Sequence, residues 1–338
     1  MVQRRLLELF ACPRCGAGLL PPGGEAGAVL GPDVVCANGH RFPTSGGYLD
    51  LSDAAGTDET TARTLESFGF EWNTFDDVRE EDAQFATVYF RDVDFDSLRG
   101  KTGVDVGCGK GRYTRFLAPH LDGLVALDGS RAVEAAARNL REFPNVLVVR
   151  ADLQRAPVSP GSVDFVTCLG VLHHLRDPRQ GFAVLVRMLA PGGRLLVYLY
   201  SRPASAGARA AALAAARWLR AVTVRLPHRV LRVVSAPVAA VLYLGVVRLG
   251  ALGERLGVGP LAGLPMAGYR GKPFRSLLLD TFDRLSAPVE HRYVWDELAP
   301  WFAEEGLEVQ AVREEAGWFV LARRPPGARG PGRGPAPV

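Results

Sequence analysis

The feature that most constrains the fold is the alternation of short apolar runs with helical sequence between residues 100 and 200. Runs rich in β-branched residues and leucine predict strands, and longer stretches with helical periodicity lie between them. The predicted strands are Thr102–Val106, Gly123–Leu127, Val146–Arg150, Val163–Leu169 and Arg194–Tyr200, and two of the predicted helices are Ser130–Phe143 and Pro178–Met188. Such alternation is typical of βαβ units, so we expect an α/β fold with a parallel sheet covered by helices on both faces.

After residue 200 the alternation is interrupted and later resumes. Residues 201–285 are rich in Ala, Leu and Arg and predict an inserted group of helices. A helix is then predicted over Trp295–Glu305, with strands over Leu307–Arg313 and Trp318–Arg323. Residues 325–338 consist mostly of Pro, Gly, Ala and Arg, and we expect this tail to be disordered because it lacks apolar residues.

The composition excludes several classes of protein. With 48% hydrophobic and 22% charged residues, the chain is neither globally disordered nor collagen-like. Five cysteines, an odd number, argue against a disulfide framework. The first ten residues lack the apolar core of a signal peptide, and no uninterrupted apolar run reaches the ~20 residues of a membrane span. The nearest approach is Val233–Val247, which contains Pro237. We therefore expect a cytoplasmic protein.

The strongest chemical signal is a strand that runs directly into Gly107, Gly109 and Gly111. Glycines at alternate positions let the backbone of a tight turn approach a ligand closely. The next strand ends in Asp128, where an acid can accept hydrogen bonds from ribose hydroxyls, and Asp152 follows the third strand, where a carboxylate can accept from an adenine amino group. A dinucleotide-binding dehydrogenase is the competing interpretation, but its usual spacing is G-x-G-x-x-G rather than the G-x-G-x-G found here.

Five motifs, DVGCGKG, LDGS, ADL, FVTCLGVLHHL and LAPGGRLLVYLY, follow in this order between residues 100 and 200. They resemble the motifs of class I S-adenosylmethionine-dependent methyltransferases. The resemblance implies methyl transfer, S-adenosylmethionine as the cofactor, and a Rossmann-like seven-stranded sheet whose last strand is antiparallel. It also implies a set of cofactor-binding residues: Asp105, Gly107, Cys108, Gly109 and Gly111 at the methionine end, Asp128, Gly129 and Ser130 at the ribose, Asp152 and Leu153 at the adenine, and Leu169 near the sulfonium.

Three histidines are candidate catalytic residues. His173 and His174 follow the fourth predicted strand, close to the expected position of the methyl donor. A neutral histidine there can take a proton from a phenol or another hydroxyl, whereas the alternative is that one or both only cap the turn. His291 is the third candidate and comes from a distant segment. Because positioning contributes most to an in-line methyl transfer, the reaction does not require a strong base.

Near the N-terminus, Cys12 and Cys15 form a C-x2-C pair, and Cys36 and His40 form a C-x3-H pair. This is the spacing of a four-ligand zinc site, and four protein ligands leave no open position, so we expect a structural zinc ion. The alternative is a set of free core cysteines beside an unrelated histidine. Residues 1–51 are similar to the zinc domain of bacterial ribosomal RNA guanine methyltransferases, and this similarity implies contact with RNA.

Residues 52–99 predict an acidic helical segment that covers the cofactor. From residue 53 to 96 there are 13 acids and 3 arginines, a net charge that would repel RNA phosphates. The same segment holds the aromatic run Phe68, Phe70, Trp72 and Phe75. Trp72 either closes over the site or packs in the core. The predicted organisation is thus a zinc module (1–51), this covering segment (52–99), a cofactor-binding core (100–200), a helical lid (201–285) and the closing helix and strands of the core (286–324).

The inserted helices leave three interpretations open. From residue 201 to 279 there are 12 basic residues and one acid, Glu254. In the first, the segment is a cap that packs on the sheet or on a second subunit in a homodimer. In the second, it is a basic amphipathic surface that contacts a membrane. In the third, it contacts RNA phosphates.

Three functions are compatible with the sequence. The favoured one is a methyltransferase for a small, fairly apolar acceptor, methylated on O, N or C. The first alternative is a methyltransferase for ribosomal or transfer RNA, guided by the zinc module. The second is a non-catalytic, cofactor-binding assembly partner.

Overall fold

The computed structural model describes residues 2–20, 33–44, 46–52, 57–203, 208–264, 266–315 and 317–327. The chain divides into two compact units, Met1–Arg202 with Val289–Val338, and Pro203–Pro288. The second unit overlaps the segment in which the sequence predicts an insertion, residues 201–285. Most of the tail expected to be disordered, from residue 328 onward, lies outside the described residues.

The first unit begins with a small antiparallel sheet, a short strand of the main sheet and three helices. Its elements are α1 (Val2–Leu7), β1 (Leu19–Leu20), β2 (Asp33–Cys36), β3 (Arg41–Pro43), β4 (Leu49–Asp50), α2 (Glu59–Thr74) and α3 (Glu80–Tyr89). Strand β2 pairs with both β1 and β3. Helix α2 begins at residue 59 because the Asp58 side chain accepts hydrogen bonds from the backbone N–H groups of Thr60 and Thr61.

The alternating part follows and is completed after the insertion. Its elements are β5 (Thr102–Val106), α4 (Arg112–Leu117), β6 (Gly123–Asp128), α5 (Val133–Leu140), β7 (Val146–Arg150), β8 (Val163–Leu169), α6 (Pro178–Met188), β9 (Leu189–Tyr200), α12 (Trp295–Glu304), β10 (Glu308–Glu314) and β11 (Gly317–Arg323). The inner strands are buried along almost their whole length, as expected for parallel strands covered on both faces.

Within the described residues the main sheet has eight strands in the order β10-β11-β9-β8-β5-β6-β7-β4. Strands β5 to β9 are parallel, and β11 is antiparallel to both of its neighbours, as the resemblance implies. The expected count of seven strands is wrong, because β4 adds a parallel edge strand through the pairs Leu49↔Val149 and Asp50↔Arg150. A strand of two residues carries no hydrophobic periodicity, so the sequence pattern does not reveal it.

The described part of residues 1–51 shares a core with the main sheet. Leu7 and Phe10 are buried in the same apolar cluster as Val125 and Val149 of the sheet. The backbone of Phe10 forms a bridge with Val158, and an Asp50–Arg150 ion pair of 3.3 Å supports the β4 edge. The N-terminal segment is therefore part of the first unit rather than a separate body.

The second unit is helical. Its helices are α7 (Ala208–Thr223), α8 (His228–Leu242), α9 (Leu249–Leu256), α10 (Gly259–Ala262) and α11 (Phe274–Ser286), and a π-helical stretch over Tyr243–Arg248 joins α8 to α9. The resulting continuous helix, His228–Leu256, is by length and composition alone long and apolar enough to cross a membrane. Helix α11 packs along α8.

Candidate functional site

The turn between β5 and α4 has the backbone shape that its glycines suggest. Gly107, Gly109 and Gly111 have φ angles of 73°, 54° and 83°, in the left-handed region that favours glycine. A Cβ on Gly107 would lie 2.1 Å from Val171 Cγ2, so no larger residue fits there without displacing the loop after β8. The turn therefore offers bare backbone at the carboxyl end of the central strand.

Asp105 lies beneath this turn and is 2% exposed. Its carboxylate accepts hydrogen bonds from Thr114 Oγ1 at 2.6 Å and from Thr167 Oγ1 at 2.9 Å. Burial raises the pKa of Asp105, and the two hydroxyl donors oppose that shift. Both carboxylate oxygens are thus engaged within the protein, and this predicted cofactor-binding residue supports the turn from below.

Asp128 ends β6 and connects directly to the glycine turn. One carboxylate oxygen accepts from the Gly109 N–H at 2.9 Å, and the other accepts from the Ser130 N–H at 2.8 Å and the Ser130 hydroxyl at 2.7 Å. Burial raises the pKa of Asp128 as well. Gly129 lies between these two residues, and a Cβ there would approach Leu65 Cδ2 of α2 to 2.9 Å.

The other predicted cofactor-binding residues lie at the same edge of the sheet. Asp152 follows β7 and accepts from the Gln154 N–H at 3.0 Å. Leu153 and Leu169 are buried at the ends of β7 and β8, and Cys108 is buried in the glycine turn, where burial raises the pKa of its thiol. The carboxyl ends of parallel strands meet at one edge, which is where open α/β sheets bind their ligands.

Helix α2 lies across this edge. The Trp72 ring packs on the glycine turn, where a Cβ on Gly109 would lie 3.1 Å from the indole, and the Arg112 guanidinium lies 5.1 Å from the centre of that ring. One helical turn earlier, Phe68 meets the His174 ring edge-on, with 4.9 Å between centroids. The two aromatic residues, four positions apart, thus cover the glycine turn and the histidine pair together.

The three candidate histidines lie close to one another. His173 is fully buried and stacks on Tyr200 with 3.8 Å between ring centroids, and the His174 ring lies 4.4 Å away. The His291 N–H donates to the His173 carbonyl at 2.8 Å. His174 Nδ1 lies 2.7 Å from the Val289 carbonyl oxygen, which only accepts, so Nδ1 is assigned the proton and Nε2 is left as the acceptor.

The electrostatics of this group favour neutral imidazole at His173. Burial lowers the pKa of His173 well below its usual 6.5, and the nearby His174, Arg292 and His291 add to the effect. Among the described residues neither ring nitrogen of His173 has a hydrogen-bond partner. Since buried polar atoms are rarely left without a partner, this imidazole is a candidate for contact with a ligand.

The four residues of the predicted zinc site have their ligand atoms within 4.8 Å of one another. Cys15 Sγ lies 3.8 Å from Cys36 Sγ, and His40 Nδ1 lies 3.6 Å from Cys12 Sγ and 3.4 Å from Cys36 Sγ. A tetrahedral zinc ion with ordinary bond lengths requires about 3.8 Å between two sulfurs and about 3.6 Å between sulfur and nitrogen. The residues therefore fit a zinc ion.

Hydrogen-bond donors beside the cluster favour the thiolate form of Cys15, whereas burial raises the pKa of Cys12. Asn38 Nδ2 donates to Cys15 Sγ at 3.4 Å, and the His40 N–H donates to Cys36 Sγ at 3.3 Å. A backbone N–H bond at Ala17 is the largest of several effects that lower the pKa of Cys15 to about 6. A lowered pKa favours the thiolate form that binds metal.

Titration of His173 should make stability depend on pH. Below about 6.5 the unfolded chain binds a proton at this residue, whereas the folded chain, with its lowered pKa, does not. The free energy of unfolding should therefore fall as the pH falls from 7 to 5, by up to about 1.4 kcal/mol per pH unit from this residue. In His173→Gln that contribution should disappear, as measured by urea unfolding at several pH values. Equal slopes in both proteins would contradict the assignment.

Gly107→Ala should weaken S-adenosylhomocysteine binding by about 30-fold or more, since about 2 kcal/mol corresponds to that factor. The added Cβ would collide with Val171 and deform the turn. Gly100→Ala is the matched control, because Gly100 has the same φ of 73° with nothing within 4 Å of its Cβ position. Both variants lose about 1 kcal/mol of stability through the positive φ. Titration calorimetry should find near wild-type affinity for Gly100→Ala and weaker binding for Gly107→Ala. Equal affinities of the two variants would exclude a role for the turn.

Comparisons with known proteins agree with this geometry. Residues 104–197 match the family described as "Methyltransferase domain". An uncharacterized chloroplastic methyltransferase of Arabidopsis thaliana is 29% identical over 219 residues, which is 55% of this chain and 60% of that protein. The ubiquinone biosynthesis O-methyltransferase of Pseudomonas paraeruginosa is 33% identical over 108 residues, 31% of this chain and 47% of that protein. The chain thus covers less than two thirds of the length of either relative.

Similarity to solved structures is lower. The N-methyltransferase NodS of Bradyrhizobium japonicum, in complex with S-adenosylhomocysteine, is 16% identical with a TM-score of 0.43, over 78% of this chain and 99% of that chain. The family match falls on the segment that forms the glycine turn and its acidic partners. Residues 104–197 form a methyltransferase domain.

Proposed function

We propose that the chain transfers a methyl group from S-adenosylmethionine to a hydroxyl of a small, largely apolar acceptor. The observation that carries this proposal is the buried, neutral His173 with its neighbour His174, at the edge that holds the glycine turn. When bound, S-adenosylmethionine supplies an electrophilic methyl group on its sulfonium. The protein has then to bind and orient the acceptor, exclude water and hold the acceptor proton.

From the aromatic side chains near this edge of the sheet we infer an apolar, flat acceptor. Tyr198 lies on β9 opposite Leu169 of β8, and its ring contacts Phe319 at 4.5 Å between centroids. Tyr89 of α3 stacks on Tyr113 of α4 at 4.8 Å, and burial raises the pKa of Tyr113 well above 10. Pockets for small molecules are lined mainly by such side chains with a few polar groups that set orientation.

His174 is the residue suited to hold the acceptor proton. Its Nδ1–H donates to the Val289 carbonyl, which orients the ring and leaves the Nε2 lone pair available. A base whose second nitrogen is held by a fixed acceptor is the usual arrangement for proton removal from a hydroxyl. His173 stacks on Tyr200 and contacts the His174 ring at a tilt, and it thereby positions that ring. Similarity to an O-methyltransferase of ubiquinone biosynthesis supports oxygen as the methylated atom.

The acceptor class can be tested with the purified chain and S-adenosylmethionine labelled in its methyl group. We expect label to appear in the organic-soluble small-molecule fraction of a cell extract and not in RNA. Label confined to RNA would replace the proposal by RNA methylation. Binding of S-adenosylhomocysteine without transfer to either fraction would indicate a non-catalytic, cofactor-binding protein.

His174→Ala should lower kcat by about 10² to 10⁴, the usual contribution of a positioned base, with unchanged affinity for S-adenosylhomocysteine. His120→Ala is the control, because His120 packs against Phe95 at the other end of α4 and takes no part in the cluster. Single-turnover transfer of labelled methyl measures both. If His174→Ala kept full activity, His174 would not act as a base, and catalysis would come only from the orientation of the acceptor.

We also propose that Cys12, Cys15, Cys36 and His40 bind one structural zinc ion. Support comes from the sulfur and nitrogen separations, which match a tetrahedron around zinc. With four protein ligands no position is open for substrate. Because Cys12 and Cys36 also belong to the apolar cluster shared with the sheet, metal binding would stabilise the whole first unit.

Cys36→Ser should reduce the zinc content from one ion per chain to near zero and lower Tm by about 10 °C. Elemental analysis and differential scanning calorimetry measure the two effects. In Cys168→Ala a buried thiol outside the cluster is removed, so zinc content should be unchanged. A wild-type chain that contains no zinc as purified, and whose Tm does not rise when zinc is added, would support free cysteines instead.

A further inference from the structure

One face of the long helix His228–Leu256 exposes a row of apolar side chains. Val233, Pro237, Val241 and Leu244 follow at spacings of four, four and three residues, which places them on one side of the helix. Val233, Val241 and Leu244 are 71%, 70% and 65% exposed. We call these four residues the apolar stripe. Contiguous exposed apolar surface of this kind marks a site of interaction.

The other side of the same helix has its partners within the second unit. Leu231, Ser235 and Ala239 repeat every four residues and are buried, as is Val247 farther along. Helix α11 packs along α8. One side of the helix is therefore packed within the second unit, and the apolar stripe lies on the surface of that unit.

Arginines are located at both ends of the apolar stripe. Arg229 and Arg232 precede it, Arg248 and Arg255 follow it, and all four side chains are exposed. None of them forms an ion pair with another residue in the described part of the chain. An apolar centre with unpaired cations at both ends is complementary to a bilayer surface, where acyl chains lie beneath anionic phosphates.

The dimensions favour a helix that lies along a membrane rather than across it. The charge-free stretch Val233–Val247 has 15 residues, which is about 22 Å of helix and shorter than the ~30 Å of a hydrocarbon core. A spanning orientation would also draw the charged residues of α11, among them Asp280, Asp283 and Arg284, into lipid together with α8.

We propose that the second unit binds the surface of an anionic lipid bilayer through the apolar stripe and its flanking arginines. A second copy of the chain fits this face less well. In an antiparallel pair of such helices, Arg232 of one copy would face Arg248 of the other, and like charges oppose each other. RNA would engage the arginines but leave the apolar stripe in water.

Flotation of the full chain with lipid vesicles tests this inference without reference to methyl transfer. We expect binding to vesicles that contain phosphatidylglycerol, weakening as salt rises, and little binding to vesicles of phosphatidylcholine alone. The double variant Arg229→Gln/Arg232→Gln should lower the partition coefficient about 30-fold, at about one factor of five per arginine. Val241→Asp should lower it at least tenfold.

Matched controls lie on the first unit. Val312→Asp changes an exposed valine of β10, and Arg99→Gln changes an exposed arginine, and neither should alter flotation. Circular dichroism melting checks that the variants are folded, which surface substitutions permit. A wild-type chain that fails to float with anionic vesicles overturns the inference. So does flotation that Val241→Asp leaves unchanged, or light scattering that finds a dimer which the same variant dissociates.

Discussion

The candidate active site depends on one buried carboxylate. Asp105 sits at the end of the central strand, and its two oxygens accept hydrogen bonds from Thr114 of α4 and Thr167 of β8. These bonds tie three elements to one point beneath the glycine turn. Loss of either hydroxyl would leave part of a buried acid without a donor, which costs about 1 to 3 kcal/mol. The shape of the turn, and through it the Asp128–Gly109 hydrogen bond, follows from this arrangement.

Much of the sheet could be predicted from the sequence because its strands are continuous, buried runs of mostly apolar residues. Thr102–Val106, Val146–Arg150 and Val163–Leu169 have the predicted bounds. Strand β9 starts at Leu189, five residues before the predicted Arg194, because Leu189 already pairs with Val163 of β8, ahead of an irregularity in the register. The eighth strand, Leu49–Asp50, is held by backbone hydrogen bonds with β7 and by its connection to the N-terminal segment. Neither of these produces a hydrophobic pattern in the sequence.

Some features of the candidate site could likewise be predicted from the sequence, and others could not. Residue type and spacing indicated the glycine turn, its acids and the Cys/His cluster, because each function needs particular atoms at short range along the chain. Contacts between distant segments were not predictable. The stacking of His173 on Tyr200 depends on the register of β8 and β9, and the meeting of Phe68 with His174 depends on where α2 crosses the sheet edge. The aromatic run around Trp72 predicted packing but gave no partner.

The insertion separates two strands that must pair. Arg194 of β9 lies opposite Arg323 of β11, while residues 201–316 are made between the two strands. At about 5 to 20 residues per second, a ribosome takes roughly 6 to 23 s to synthesise that segment. During this time the outer backbone groups of β9 lack their final partner and can pair with another unfolded chain. Compaction of the second unit in the interval shortens the chain that separates the two strands and lowers the entropy cost of closing the sheet. Translation speed through these helices therefore sets how long the nascent chain is open to aggregation.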